Sequence, residues 1–227
     1  MHTLYHYVHC PFCIRVRMAL GFLGLPWKSV VLPYDDEQTP INLAGKKMLP
    51  IMSFPEDKSG ALTINESLDI IGKIDPENKL MNELSTQERG QKLDSFLNEL
   101  SGPMFKLCMP YFIFSPEFDD KARSYFRSKK EAKRGPFHLL VQERKKFETE
   151  VHELLSQLES SLDVFYKSEK LTILDIILAS HLWGLYIVPE FQFTTKVHNY
   201  LQRVATETKF NYHEDFWKTE SLPFIRS

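Results

Sequence analysis

The first quarter of the chain alternates between strand-like and helix-like spacing of its apolar residues. Residues 3–8 are rich in aromatic and β-branched side chains, residues 12–23 carry apolar side chains at helical spacing, and residues 27–32 end in Val-Val-Leu. Gly24 and Pro26 end the helix between the two strands. This pattern predicts a strand–helix–strand unit with parallel strands and a right-handed crossover.

The pattern of short elements continues to about residue 75. A short helix is predicted over residues 41–44, a third strand over 50–54, a fourth strand over 61–64 and a helix over 66–74. Turn-forming residues between the third and fourth strands predict a hairpin. The predicted order of the first part is therefore βαβ-α-ββα, an α/β arrangement.

Strand signals nearly vanish after this point. Residues 76–88 begin with a polar, proline-containing stretch that is typical of a linker. Helical spacing of apolar residues then recurs in four segments, residues 89–101, 139–166, 171–185 and 196–207. The sequence predicts an α/β domain over 1–75, a linker over 76–88 and an all-helical domain over 89–227.

Composition restricts the partners and the compartment. The formal net charge of the 227 residues is −2, which gives no general attraction to nucleic acid or to an anionic membrane. The longest apolar stretch, 173–185, is interrupted by Asp175, His181 and Gly184 and is too short to span a bilayer. No signal-peptide pattern follows Met1, and three cysteines do not suit a disulfide-stapled secreted fold. We predict a cytoplasmic protein without nucleic-acid or membrane partners.

Positive charge is concentrated in two places. Arg15 and Arg17 fall on the side of the predicted 12–23 helix opposite its apolar residues. Residues 119–134 are dense in lysine and arginine and include Tyr125 and Phe126. This second stretch is either a phosphate-binding face or a solvated loop or helix face. The solvated face is the commoner role of such a charge run, and neither role changes the predicted function.

The strongest chemical feature is the motif Cys10-Pro11-Phe12-Cys13, directly after the first strand and at the start of the first helix. As a zinc half-site it would need a second spaced ligand pair, and Cys108 is isolated and most simply a buried apolar residue. As a structural disulfide it would serve no need in a reducing compartment. As a redox centre it has the required strand before it and helix after it. Unpaired N–H groups and the helix dipole would favour a thiolate at Cys10.

Two further motifs have both an ordinary and a functional interpretation. Leu49-Pro50 at the entrance of the third strand is either an ordinary turn or a cis peptide bond. In the second case the main chain of Leu49 is free to pair with a peptide-like substrate.

Asn65-Glu66-Ser67 precedes a helix, where Asn65 or Ser67 can cap it. Alternatively, the exposed N–H groups and the Ser67 hydroxyl bind a carboxylate, while Glu66 accepts from an ammonium group.

Taken together, the motifs resemble a known family. Cys10-Pro11-Phe12-Cys13, Leu49-Pro50 and Glu66-Ser67, in a βαβ-α-ββα order before a helical domain, resemble the glutaredoxin half of the glutathione-transferase fold. The resemblance is in particular to the large bacterial glutaredoxin 2 type. It implies a thioredoxin-like N-terminal domain followed by an all-α, glutathione-transferase-like C-terminal domain. Within the latter, Thr172 and Asp175 resemble the N-capping box of transferase-fold proteins.

The resemblance implies an activity with glutathione as co-substrate and no metal. Cys10 as thiolate would attack a protein–glutathione mixed disulfide, and Cys13 would resolve mixed disulfides formed on a protein substrate. The residues that would bind glutathione are Leu49, Pro50, Glu66 and Ser67. Lys47 is hypothesised to meet the glycine carboxylate of glutathione. The implied partners are glutathione and glutathionylated or disulfide-bonded proteins, with the chain acting as a monomer.

Two departures from the family pattern and two rival functions accompany this prediction. Phe12 stands where tyrosine is usual, and Tyr7 stands where small glutaredoxins often carry lysine. Thiolate stabilisation would then depend on the helix N-terminus and on His9, which either stabilises the thiolate or is an ordinary exposed histidine.

One rival is a cysteine-type glutathione transferase acting on small electrophiles, against which a resolving Cys13 argues. The other is a non-enzymatic transferase-fold protein that partitions to membranes, against which the lack of a spanning segment argues.

Overall fold

The computed structural model describes residues 1–55, 62–80 and 87–213. Its first part has the predicted βαβ-α-ββα order. The elements are β1 (His2–His6), α1 (Pro11–Leu23), β2 (Trp27–Val31), α2 (Gln38–Ala44), β3 (Ile51–Ser53), β4 (Thr63–Asn65) and α3 (Ser67–Ile74). The predicted hairpin turn lies largely outside the described residues, but the two strands that it would join are paired.

The four strands form one mixed sheet in the order β2-β1-β3-β4. β1 pairs in parallel with β2, which requires the predicted crossover through α1, and β1 pairs antiparallel with β3. β3 pairs antiparallel with β4, with Met52 opposite Ile64. The end of β1 therefore leads directly into the N-terminus of α1, where the two cysteines lie.

The second part is helical, as predicted, although its helix bounds differ. The helices are α4 (Gln87–Phe112), α5 (Asp120–Arg134), α6 (Phe137–Gln142), α7 (Arg144–Leu158), α8 (Ile173–Leu182) and α9 (Thr195–Thr208). Short 3₁₀ turns follow α7 at Glu159–Ser161 and α8 at Trp183–Ile187. Among the helices of the described residues, none is long and apolar enough to cross a bilayer.

Helix α4 extends well past its predicted end at residue 101. It continues through Pro103 and Pro110, which local rules treat as helix breakers. The continuation buries Met104, Leu107 and Phe112 among apolar residues of the second part. Burial of these side chains offsets the local cost of the prolines.

Helix α1 is packed by both parts of the chain. α3 contacts it from the first part, and α8 and α9 contact it from the second. The two arginines that the sequence places opposite the apolar face of α1 are consequently buried, with Arg15 6% and Arg17 7% exposed. Arg17 lies over the ring of Phe210, 4.9 Å from its centroid. The cysteine-bearing helix is thus enclosed rather than laid on a surface.

The predicted capping box at α8 is confirmed. Asp175 Oδ2 accepts from the Thr172 N–H at 2.8 Å, and Thr172 Oγ1 accepts from the Leu174 N–H at 3.2 Å. Asp175 is fully buried and also accepts from the N–H of Tyr166 and the hydroxyl of Tyr200. These bonds fix the start of α8, one of the helices that hold α1 in place.

Candidate active site

The two cysteines of the Cys-Pro-Phe-Cys motif lie at the N-terminus of α1. Cys10 is the N-cap residue, and its carbonyl accepts from the N–H groups of Cys13 and Ile14, both at 3.0 Å. Both cysteines are free and lie 3.6 Å apart. Cys10 is partly exposed, whereas Cys13 is fully buried. A reagent in solution can therefore reach Cys10, whereas Cys13 is shielded from solvent.

The pKa values of the two thiols move in opposite directions. The hydrogen bond with the Cys13 thiol is the largest cause that lowers the pKa of Cys10 to about 6. Burial opposes this change, while the charge of His9 and the N–H groups of Cys13 and Phe12 support it. Burial and the same hydrogen bond raise the pKa of Cys13 well above its usual range. The lowered pKa of Cys10 favours its thiolate, which is the nucleophilic form of a cysteine.

We expect the alkylation rate of Cys10 to rise with pH through a midpoint of about 6, because the thiolate forms above the pKa. Cys13→Ala removes the hydrogen-bond donor and should move the midpoint toward the ordinary cysteine value of about 8.5. Cys13→Ser keeps a donor and should move it less. Iodoacetamide kinetics on the reduced protein, with peptide mapping, measure each midpoint. An unchanged midpoint in Cys13→Ala would refute the role given to this hydrogen bond.

A carboxylate from the helical part binds His9, the residue before Cys10. Glu117 Oε1 accepts from the His9 main-chain N–H at 3.0 Å and lies 2.5 Å from Nδ1. The side chains of His9 and Glu117 are 10% and 0% exposed. The alternative of an ordinary exposed histidine is therefore wrong, because aromatic rings that include Tyr34 and Phe112 enclose the imidazole. Glu117 anchors the segment before α1 to the second part.

Leu49 lies beside the cysteines on the first part of the chain. The Leu49–Pro50 peptide bond is cis, so that sequence alternative is confirmed and the ordinary turn is not. Leu49 packs with Tyr7 and Cys13 in a small apolar cluster that Cys10 borders. No turn, loop or cap hydrogen bond of the described residues uses the Leu49 N–H.

The start of α3 is not capped by a side chain. Glu66 is the N-cap residue with φ of 72°, and neither Asn65 nor Ser67 caps the helix. The Ser67 hydroxyl is buried and accepts from Arg15 Nη1 at 3.1 Å. A hydroxyl that accepts a hydrogen bond keeps its own hydrogen to donate. The first N–H groups of α3 and the Ser67 hydroxyl are thus chemically suited to an anion.

The structure also reveals cations around this helix start that sequence reasoning did not assign. Arg15 on α1 is buried against the start of α3, and burial lowers its pKa to about 10. Lys46 Nζ lies 3.4 Å from Glu66 Oε1, with both side chains about half exposed. A spacing of charged residues on α1 could not have shown that Arg15 meets Ser67, because the two belong to separate elements.

Lys47 extends across the junction between the two parts. Its Nζ donates to the hydroxyl of Tyr125 at 3.0 Å and lies 3.5 Å from Glu37 Oε1. It also lies over the rings of Tyr34 and Tyr125, at 5.4 and 4.2 Å from their centroids. A carboxylate that approached Lys47 would share it with these partners.

A cavity of about 280 Å³ opens beside Cys10 between the two parts of the chain. Six tyrosine and phenylalanine side chains line it, namely Tyr7, Phe12, Tyr34, Phe105, Phe112 and Phe126. Lys130 and Arg134 of α5 line it as well. The interpretation of residues 119–134 as a solvated face is therefore incomplete, because one side of α5 lines this cavity. The spacing of four that separates Phe126, Lys130 and Arg134 puts them on one side of α5, and it was a usable sequence signal.

Potential metal ligands are scattered rather than clustered. Across 1–55, 62–80 and 87–213, no group of three or more histidine, cysteine, aspartate or glutamate side chains is placed to hold a metal ion. Cys108 is fully buried in the apolar core, which confirms its structural interpretation.

Comparison with known proteins gives relatives over nearly the whole chain. A family model for the glutaredoxin 2 C-terminal domain matches residues 92–216, and one for the glutathione S-transferase N-terminal domain matches residues 4–79. Glutaredoxin 2 of Escherichia coli strain K12 is 31% identical over 214 residues, which are 92% of this chain and 96% of that protein.

Solved structures agree with this relationship. Glutaredoxin 2 from Salmonella typhimurium, solved in complex with glutathione, has 29% identity and a TM-score of 0.77, covering 94% of this chain and 97% of that one. A glutathione transferase from Phanerochaete chrysosporium shares the fold at 16% identity, with a TM-score of 0.71 and coverage of 91% and 96%. The chain therefore belongs to the glutaredoxin 2 family and is a glutathione-dependent oxidoreductase of the glutaredoxin class.

Proposed function

We propose that this enzyme reduces protein–glutathione mixed disulfides and protein disulfides, with Cys10 as nucleophile and Cys13 as resolving thiol. The observation that carries the proposal is the pair itself. A partly exposed Cys10, whose pKa is lowered to about 6, lies 3.6 Å from a buried Cys13 that is held as a thiol. A conjugating transferase needs no second thiol, so Cys13 favours disulfide exchange over the rival activity on small electrophiles.

In the monothiol route the Cys10 thiolate attacks the glutathione sulfur of the mixed disulfide. A Cys10–glutathione disulfide forms while the protein–glutathione bond breaks, and the protein leaves as a thiolate with the electron pair. The thiolate of a second glutathione then attacks the glutathione sulfur bound to Cys10. This step releases glutathione disulfide and regenerates the Cys10 thiolate.

In the dithiol route Cys10 attacks one sulfur of a protein disulfide. A mixed disulfide with the substrate protein forms, and the other substrate sulfur leaves as a thiolate. Cys13 loses its proton and attacks the Cys10 sulfur, which releases the second substrate thiolate and leaves a Cys10–Cys13 disulfide. Two glutathione molecules reduce this disulfide and become glutathione disulfide.

Cys13→Ser is expected to separate the two routes. Turnover of a glutathionylated protein should persist within about threefold, because serine still donates a hydrogen bond to Cys10. Reduction of a protein disulfide should fall by about a hundredfold or more, since no intramolecular thiol remains to resolve the mixed disulfide. Paired steady-state assays on one glutathionylated and one disulfide-bonded protein measure this. Equal loss on both substrates would overturn the division of roles.

The proposed glutathione site lies on the first part of the chain. The α-carboxylate of the γ-glutamyl group would accept from the first α3 N–H groups and from Ser67, and its ammonium would donate to Glu66. The main chain of Leu49, next to Pro50, would hold the cysteinyl residue with its sulfur toward Cys10. Lys47 stays a prediction for the glycine carboxylate. The Salmonella relative solved with glutathione supports this ligand class.

Glu66→Gln is expected to raise the apparent KM for glutathione about tenfold and to change kcat little, because one charge-assisted hydrogen bond to the ammonium is lost. Glu77→Gln is the matched control. Glu77 is an exposed carboxylate paired with Lys79 at 2.9 Å and plays no part in the proposed site. Initial rates over a range of glutathione concentrations measure both variants. An unchanged KM in Glu66→Gln removes Glu66 from the site.

The proposal also covers the oligomeric state, the compartment and the partners of the enzyme. A monomer is the proposed active form. A reducing cytoplasm, where a dithiol can cycle, is the proposed compartment. The proposed macromolecular partners are glutathionylated or disulfide-bonded proteins.

A further inference from the structure

Two cations of α5 line the Cys10 cavity without an acidic partner. Lys130 and Arg134 are half-buried and one helical turn apart. Within residues 1–55, 62–80 and 87–213 neither forms an ion pair. Four other basic side chains of α5 do, in the pairs Lys121–Asp35, Arg123–Asp120, Arg127–Glu131 and Lys129–Glu37. Of the three α5 cations without an ion pair among the described residues, Lys130 and Arg134 line the cavity, whereas Lys133 is exposed to solvent.

The surroundings of these cations are aromatic. Lys130 Nζ lies 5.5 Å from the Phe126 ring centroid, and the Arg134 guanidinium lies 5.1 Å from that of Phe105. Burial and the charges of Arg134 and Lys133 lower the pKa of Lys130, while the Cys10 charge opposes this effect. An anion in the cavity would offset the repulsion between the two cations. The apolar walls lower the local dielectric constant and would strengthen the attraction between the anion and the cations.

We propose that Lys130 and Arg134 form a subsite for the carboxylate of a small anionic thiol, either the one released when Cys10 attacks a small disulfide or the one that attacks the mixed disulfide on Cys10. This inference rests on the proposed function. The proposed glutathione site occupies the first part of the chain, whereas α5 forms the opposite wall. In thiol–disulfide exchange the attacking, central and leaving sulfurs lie nearly in line. The leaving or attacking thiol therefore extends away from the half of the disulfide that occupies the proposed glutathione site.

The size of the cavity favours a small molecule over a folded partner. A volume of about 280 Å³ lies just below the usual range for small-ligand pockets, which is about 300 to 1,000 Å³. In the reaction the Cys10 thiolate attacks one sulfur of the small disulfide and forms a mixed disulfide. The other half leaves as a thiolate with the electron pair, its carboxylate held by the two cations.

The test compares two small disulfides of similar length, the dianion of 3,3′-dithiodipropionic acid and the neutral bis(2-hydroxyethyl) disulfide. Each is reacted with the full reduced chain in the Cys13→Ser background, where the reaction stops at Cys10, and adduct formation is followed by mass spectrometry. The ratio of the two rate constants cancels any change in the thiolate fraction. We expect Lys130→Gln/Arg134→Gln to lower this anion-to-neutral ratio about tenfold.

Two variants make the comparison specific. Lys133→Gln removes the same charge from an exposed position of α5 and should leave the ratio unchanged. Lys130→Arg/Arg134→Lys keeps both charges and should retain most of the preference, which guards against a folding defect in the double glutamine variant. A ratio that is unchanged in the double variant, or that falls equally in Lys133→Gln, overturns the subsite. If both disulfides modify Cys10 without charge preference, only the subsite fails; if neither modifies it, the proposed function fails.

Discussion

Cys10→Ser is expected to lower turnover of a glutathionylated protein by about three orders of magnitude or more, because removal of an enzyme's nucleophile can cost up to about a millionfold in kcat. A serine hydroxyl is a weak nucleophile near neutral pH, because it stays protonated where the Cys10 thiol ionises. The same hydrogen bonds that lower the pKa of the thiol to about 6 cannot ionise a hydroxyl at neutral pH. Steady-state release of the protein thiol at saturating glutathione measures the loss.

Cys108→Ala is the matched control for removal of a thiol. Cys108 is fully buried, and burial raises the pKa of its thiol far above the usual range, so it contributes no thiolate at neutral pH. Turnover should remain within about twofold after correction for folded protein, while stability falls by about 1 kcal/mol because a buried sulfur is removed. Substantial turnover in Cys10→Ser, or its loss in Cys108→Ala, would remove Cys10 from its proposed role.

Gly21→Ala is expected to destabilise the fold by about 3 kcal/mol, at the upper end of the usual range for overpacking. Gly21 lies on α1 where this helix meets the end of α9. A Cβ atom on Gly21 would lie 1.9 Å from the main-chain oxygen of Thr208, so backbone and not a flexible side chain would have to move. Because the two parts of the chain share one apolar core, the displacement of α1 from α9 weakens both. Urea unfolding followed by circular dichroism measures the change.

Gly72→Ala provides the comparison for this substitution. Gly72 lies in α3, and an added Cβ meets nothing within 4 Å among the described residues. Alanine should there stabilise the helix by up to about 1 kcal/mol through its greater helix propensity. If the two variants unfold at the same urea concentration, the close approach of α1 and α9 does not determine stability.

The parts of the site that depend on local sequence could be predicted. The cysteine pair at the start of α1 and the start of α3 follow from residues that are adjacent in the chain, and the cis Leu49–Pro50 bond is one of two alternatives that the local sequence leaves open. The periodicity of apolar residues also predicts the element order of the first part. Apolar periodicity and helix start and stop signals suffice where the position of a residue depends on its neighbours in the sequence alone.

The parts that depend on distant residues could not be predicted. Glu117 reaches His9 across 108 positions, and no local pattern links a glutamate between two helices to the first strand. Arg15 is buried because α1 is enclosed by helices of the second part, which its own periodicity does not reveal. The cavity-facing side of α5 likewise acquires a role only once the two parts are packed together. In each case tertiary packing decides what the local pattern leaves open.

The covalent intermediate at Cys10 can be observed directly. The reduced Cys13→Ser variant is mixed with a glutathionylated protein in the absence of free glutathione, quenched with acid, and analysed by intact mass and peptide mapping. Cys10 is expected to gain one glutathionyl group for each protein thiol released, with Cys108 unmodified. Release of the protein thiol without a glutathionyl group on Cys10, or with the group on Cys108, would contradict Cys10 as the nucleophile.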